Sequence, residues 1–208
     1  YVNVLLSLAG VNLALGQKLK AKLYIDEAND ILSKTSKSSS LGAYSITLAN
    51  LYEEIGKREN AISLLERELQ NLTPNVPQSA ILQIKIELAY FYTLDGKYQQ
   101  AYDLLSDIEY GDNLCLYELK ASLSYLLKKG NVSQYIQDYN NKMMRQSYSL
   151  ASHFADIEFE DYWASLSSVS LSVNGILVNS FFQGNKGTID NKGIIDTYNY
   201  LLFLKNFV

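Results

Sequence analysis

In the stretch Tyr44-Ser-Ile-Thr-Leu48-Ala49-Asn-Leu-Tyr52-Glu-Glu-Ile-Gly56-Lys-Arg-Glu-Asn-Ala61-Ile-Ser-Leu-Leu65-Glu-Arg-Glu-Leu69, apolar residues recur at helical spacing on both sides of a glycine. Leu48, Leu51, Tyr52 and Ile55 form one stripe, and Ala61, Ile62, Leu64, Leu65 and Leu69 form a second after a polar corner. Gly56 stands where a helix C-terminus takes a left-handed residue, a conformation glycine adopts at little steric cost. Small Ala49 and Ala61 let two antiparallel helices approach closely, where larger side chains would wedge them apart. Glu66, Arg67 and Glu68 read as a solvated face.

The pattern recurs every forty residues, with Leu8-Ala9, Gly16 and Ala21 before it and Leu88-Ala89, Gly96 and Ala101 after it. A period of this length marks stacked supersecondary units, each unable to bury its apolar face alone. A fourth, altered unit spans Tyr117 to Met144, with Gly130 in the glycine place, Leu123 for the small residue and Tyr135 for the second alanine.

This order of leucine, small residue, aromatic, glycine and alanine resembles the tetratricopeptide repeat (TPR), with Asn12 standing where Tyr52 and Tyr92 stand in the later copies. The period exceeds the usual ~34 residues, so the surplus lengthens helices or the joints near Ser38-Ser39-Ser40 and Pro74-Asn-Val-Pro77. The resemblance implies an all-α fold, an α-α superhelix or TPR-like solenoid of antiparallel helix pairs with C-terminal capping helices. Repeats are expected over about residues 1–37, 38–77, 78–112 and 113–146, with a helical cap or linker over 147–208 that leads towards a missing downstream domain. About eleven helices follow from this division.

From Ser149 the repeat stops. Glu158-Phe-Glu-Asp-Tyr162-Trp163 reads as the acidic start of a helix running towards Phe181. Gln183 to Gly193 reads as a loop, and Ile194 to Val208 as a last apolar helix. Tyr162-Trp163 and Tyr198-Asn199-Tyr-Leu201-Leu202-Phe-Leu-Lys205 are similar to the segment between the repeats and the protease in bacterial TPR proteins with a caspase-like CHAT domain. The resemblance implies that the family's catalytic His and Cys lie beyond Val208, so none is assigned here.

Composition narrows the function classes. The chain of 208 residues carries a net charge of −4, and this offers no basic field for nucleic acid or an anionic membrane surface. The single cysteine excludes an internal disulfide and suits a cytoplasmic location. No apolar run reaches the ~20 residues that span a bilayer, and Tyr1 follows no initiator methionine or signal peptide, which reads as a fragment or processed chain.

No catalytic site, cofactor site or metal site is expected. Cys115 and His153 are the only residues of their types; Leu114-Cys-Leu116 reads as a small buried hydrophobe, and a nucleophilic pair would need hydrogen-bond contact. One His and one Cys fall short of a structural zinc site. Glu158, Glu160 and Asp161 read as a helix start, and Gly184 to Thr188 lacks the phosphate-loop spacing. Among seventeen tyrosines, Tyr92, Tyr102, Tyr125 and Tyr135 are expected to fill space between helices with hydroxyls reaching water.

These readings point to a protein–protein interaction scaffold that is not an enzyme. The expected setting is the regulatory or sensing TPR region of a larger bacterial protein such as a CHAT protease. The alternative is the helical sensor region of a membrane-bound bacterial signalling protein. The expected partner is a protein or peptide ligand in a concave groove, with no nucleic acid and no direct membrane contact. Carried over from the resemblance, the groove residues are Asn3 and Leu6; Ile46, Asn50 and Glu53; and Gln83, Ile86, Tyr90 and Thr93. Asn50 and Gln83 offer hydrogen bonds to an extended backbone, and Tyr90 a stiff apolar surface with a polar tip.

Overall fold

The computed structural model describes residues 1–34, 41–72, 76–108 and 113–151. Every regular element among them is an α-helix: α1 Val2–Ala14, α2 Lys18–Lys34, α3 Leu41–Glu54, α4 Arg58–Gln70, α5 Gln78–Leu94, α6 Tyr98–Leu105, α7 Leu114–Leu127 and α8 Val132–Ala151. The chain divides into two compact units, residues 1–104 and 105–208. The capping helices expected beyond Ser149 lie almost wholly outside the described residues, as does His153.

In the first unit, each first helix ends in the same backbone device. Gly16, Gly56 and Gly96 have φ of +71°, +77° and +76°. Each donates its N–H to a carbonyl three residues back, and the next residue donates to one five back: Gly56 to Glu53 and Lys57 to Tyr52, both at 2.8 Å. This paired closure satisfies carbonyls that a helix end leaves orphaned, and it turns the chain at once into α2, α4 or α6. A left-handed residue is required there, so glycine recurs there.

The alanines do what their size suggests. Ala9, Ala49, Ala89, Ala21, Ala61 and Ala101 are all fully buried. Around them a core forms from Leu5, Ile25, Leu48, Leu65, Leu88 and Phe91, joining α1 to α5 in one cluster. α1 packs on α2 and α3 on α4, while α3 also contacts α1 and α2, and α5 contacts α3 and α4. Every new first helix is thus seated on the pair before it. The solvated-face reading of Glu66 needs correction: the Tyr92 hydroxyl of α5 donates to its carboxylate at 2.6 Å, and Glu66 is half-buried. Tyr102, Tyr125 and Tyr135 are half-buried, like Tyr92.

In the second unit, α7 and α8 pack together through buried Leu116, Leu123, Ile136, Tyr139 and Met143. Asn113 caps α7 by accepting the Leu116 N–H, and Asn131 accepts the Gln134 N–H at 3.0 Å at the start of α8. The corner between them departs from the earlier ones. Lys128 closes α7 in the left-handed place at φ 53°, and Gly130, also left-handed at φ +68°, follows two residues later. Lys120 is buried, with its ammonium donating to the Ile108 carbonyl at 2.8 Å, and burial lowers its pKa. Cys115 is exposed, contrary to its reading as a buried hydrophobe, because the inward stripe of α7 runs through Leu116, Leu119, Lys120 and Leu123 and leaves Cys115 off it.

Candidate interaction surface

The forty-residue period sets equivalent positions of α1, α3 and α5 into rows. Asn3, Ala43 and Gln83 make an exposed row. Leu6, Ile46 and Ile86 make a second, in which Leu6 and Ile86 are buried and Ile46 is half-buried. Those two are therefore core residues that support the face and present no side chain to a ligand. Gly10, Asn50 and Tyr90 make a third row, and Leu13, Glu53 and Thr93 a fourth. Beside Gly10 a side chain would meet no atom within 4 Å, so this row opens onto free space at its α1 end. Tyr90 is 45% exposed at its α5 end.

Polar contacts knit these rows across helices. Asn50 of α3 hydrogen-bonds Glu87 of α5, offsetting in part the burial that pushes the Glu87 carboxyl above the usual range. Glu53 accepts from the guanidinium of Arg58, with Nε at 2.9 Å from Oε2. Arg58 also donates through Nη1 to the Leu94 carbonyl at 2.9 Å, tying the α3–α4 corner to the end of α5. Thr93 donates back to Ala89 O at 2.7 Å. Of the residues anticipated here, Asn50 is tied to α5 through Glu87 and Glu53 through Arg58 and the Leu94 carbonyl, while Asn3 and Gln83 are exposed. Sequence reasoning missed Arg58, Glu87 and Leu94. Arg58 is half-buried and opens the second helix, so a search of first helices passes over it.

A concavity of about 300 Å³ is lined by Asn29 of α2, Tyr52 of α3, and Glu59, Asn60, Ser63, Leu64 and Arg67 of α4. Its lining is mainly polar. Burial raises the Tyr52 pKa, Asp26 adds to the rise and Arg67 opposes it, so the hydroxyl stays neutral. No group of three or more His, Cys, Asp or Glu able to hold a metal occurs among the described residues. No described helix is long and apolar enough to cross a membrane.

Residues 46–78 match the tetratricopeptide repeat family. The matched span runs from α3 through α4 to the first residue of α5, the clearest copy in the sequence. Among solved structures, the chain resembles the Q17M variant of nearly identical TPR-like repeats from a Podosopora anserina protein assigned as a kinesin light chain. Identity is 18%, 88% of this chain and 96% of that chain are covered, and the TM-score is 0.51. A second structure of those repeats gives 18% identity, 86% and 96% coverage and a TM-score of 0.49. No curated protein matches the sequence. Among the described residues the fold is thus all-α and TPR-like, and TPR repeats generally mediate protein–protein interaction.

Proposed function

We propose that this chain is a non-catalytic interaction scaffold that holds a peptide segment of a partner protein along the first-helix face of α1, α3 and α5. The observation that carries the reading is the row Gly10–Asn50–Tyr90, which runs from open space, past a fixed amide, to a half-exposed aromatic ring. Because Glu87 and Arg58 hold their neighbours across helices, the polar groups are ordered before a ligand arrives, which lowers the entropic cost of binding. The module is residues 1–146, followed by a linker over 147–208. The resemblance of Tyr162-Trp163 and Tyr198 to Lys205 supports a setting as the sensing half of a larger cytoplasmic bacterial protein such as a CHAT protease.

A displayed peptide library selected against the chain tests this. The selected peptides should bind Asn50→Ala/Tyr90→Ala at least ~10-fold more weakly, since aromatic anchors commonly contribute more than ~1.4 kcal/mol at interfaces. Tyr90→Ala alone, at a residue 45% exposed, should weaken binding with little change in the melting temperature, whereas Asn50→Ala should lower it modestly because Glu87 loses its hydrogen bond. Peptides that bind the double variant as tightly as the original chain would refute the assignment.

A further inference from the structure

The concavity lined from α2, α3 and α4 holds a buried polar group with no partner. Tyr52 lines it at 4% exposure, and its hydroxyl makes no hydrogen bond among the described residues. A buried hydroxyl costs free energy while it stays unpaired, so it marks a place for an acceptor. The next copy shows which acceptor this position takes. Forty residues on, the equivalent tyrosine is Tyr92, whose hydroxyl donates to the Glu66 carboxylate at 2.6 Å. The equivalent of Glu66 is Asp26, one methylene shorter. Asp26 acts on Tyr52 through its charge alone, and its carboxylate stands 3.9 Å from Lys22. The earlier copy thus keeps the donor and lacks a carboxylate that reaches it.

Arg67 adds a positive charge. Asn60, Ser63 and Arg67 recur at i, i+3 and i+7 on one face of α4, and all three line the concavity. The residues three and four away from Arg67 along the helix, Ser63, Leu64, Gln70 and Asn71, carry no charge. Arg67 forms no ion pair among the described residues, and its guanidinium acts on the Tyr52 hydroxyl through its charge. Acidic groups around the concavity have cations of their own. Asp26 stands by Lys22, Asp30 pairs with Lys34 at 2.6 Å, and Glu59 lies in the field of Lys97. Glu59 is also eight residues from Arg67, about 12 Å along the helix.

We propose that this concavity binds a carboxylate of a ligand, whose oxygens accept from the Tyr52 hydroxyl and the Arg67 guanidinium. Asn29, Asn60 and Ser63 supply further donors at its wall. Hydrogen bonds to an ionised acceptor are the strong ones, and a guanidinium offers a carboxylate a planar fork. The site draws on α2 and α4, so it is separate from the first-helix face and stands whether or not a peptide lies there. An acidic side chain and a peptide C-terminus present the same chemistry to it.

Three blocked tripeptides titrated into the whole chain test the proposal: acetyl-Gly-Glu-Gly-amide, acetyl-Gly-Gly-Gly with a free C-terminus, and acetyl-Gly-Gln-Gly-amide. The readout is the Nε–H NMR signal of Arg67, one of three arginines in the chain, assigned through Arg67→Lys. A carboxylate peptide should shift that signal saturably and the glutamine peptide should not, and the tighter carboxylate identifies the source. Tyr52→Phe keeps the ring in the core and should weaken binding about 10-fold, as expected for losing a hydrogen bond to a charged group. Asp26→Glu should weaken it at least as much without lowering the melting temperature, because the longer side chain brings an internal carboxylate to Tyr52 as Glu66 does to Tyr92. Tyr92→Phe should leave the affinity unchanged. Failure of both carboxylate peptides to saturate the signal overturns the proposal. Equal binding of the glutamine peptide also overturns it, as does an affinity that survives Tyr52→Phe or Asp26→Glu.

Discussion

The corner between α7 and α8 carries a lysine where its three counterparts carry glycine, and this invites a direct perturbation. Lys128 sits at φ 53°, ψ 42°, with its N–H bonded to Tyr125 O at 3.2 Å and that of Lys129 to Ser124 O at 2.9 Å. The hydrogen bonding is the same as at Gly56, so only the side chain differs. A left-handed conformation costs an L-residue about 1–2 kcal/mol, and glycine surrenders about 0.4–1 kcal/mol of extra chain entropy on folding. The balance favours glycine by about 1 kcal/mol. Lys128→Ala removes the same charge and stem while keeping the strain, so the Gly-minus-Ala difference isolates the backbone. Urea unfolding followed by circular dichroism, at constant m-value, should place Lys128→Gly about 1 kcal/mol above Lys128→Ala. Gly56→Ala should lose a similar amount. Equal stability of the two Lys128 variants would refute the argument.

Glu118 offers a pH test. Burial raises its pKa from 4.5 to about 7, so between those values the folded chain keeps a proton that the unfolded chain has released. Stability should therefore fall as pH rises through that window, and Glu118→Gln should remove the slope. The difference should reach about 1 kcal/mol above pH ~7 once solvent screening of this half-buried group is discounted. Ala49→Leu should cost about 1–3 kcal/mol by overpacking, read from the urea midpoint, because Ala49 is fully enclosed.

The helix pairs were legible because their signals are local. Gly16, Gly56 and Gly96 mark a backbone requirement, and the flanking alanines a spacing requirement, and each is written in one residue type. The fourth corner escaped this reading because Gly130, itself left-handed at φ +68°, drew the assignment, while the residue that closes α7 is Lys128, whose side chain carries no such signal. Burial was harder still. Leu6 and Ile86 share a helix position with half-buried Ile46, and Cys115 shares an apolar neighbourhood with buried Leu116. Angles of about 100° per residue separate inside from outside, and no short motif records them. Arg58 joins the candidate surface through a contact thirty-six residues away, which only the folded chain brings about.

The seating of each first helix on the pair before it also governs how the chain is made. In residues 1–104 the contacts run from each helix to its next or next-but-one neighbour. Short loop closures of this kind cost little entropy and favour rapid assembly. The contacts between α1 and α2 do not need α3. Neither helix pair buries its apolar face until the next one is seated on it, however, so a chain emerging N-terminus first gains stability as successive pairs are added. Each seated pair presents the apolar surface on which the following first helix packs.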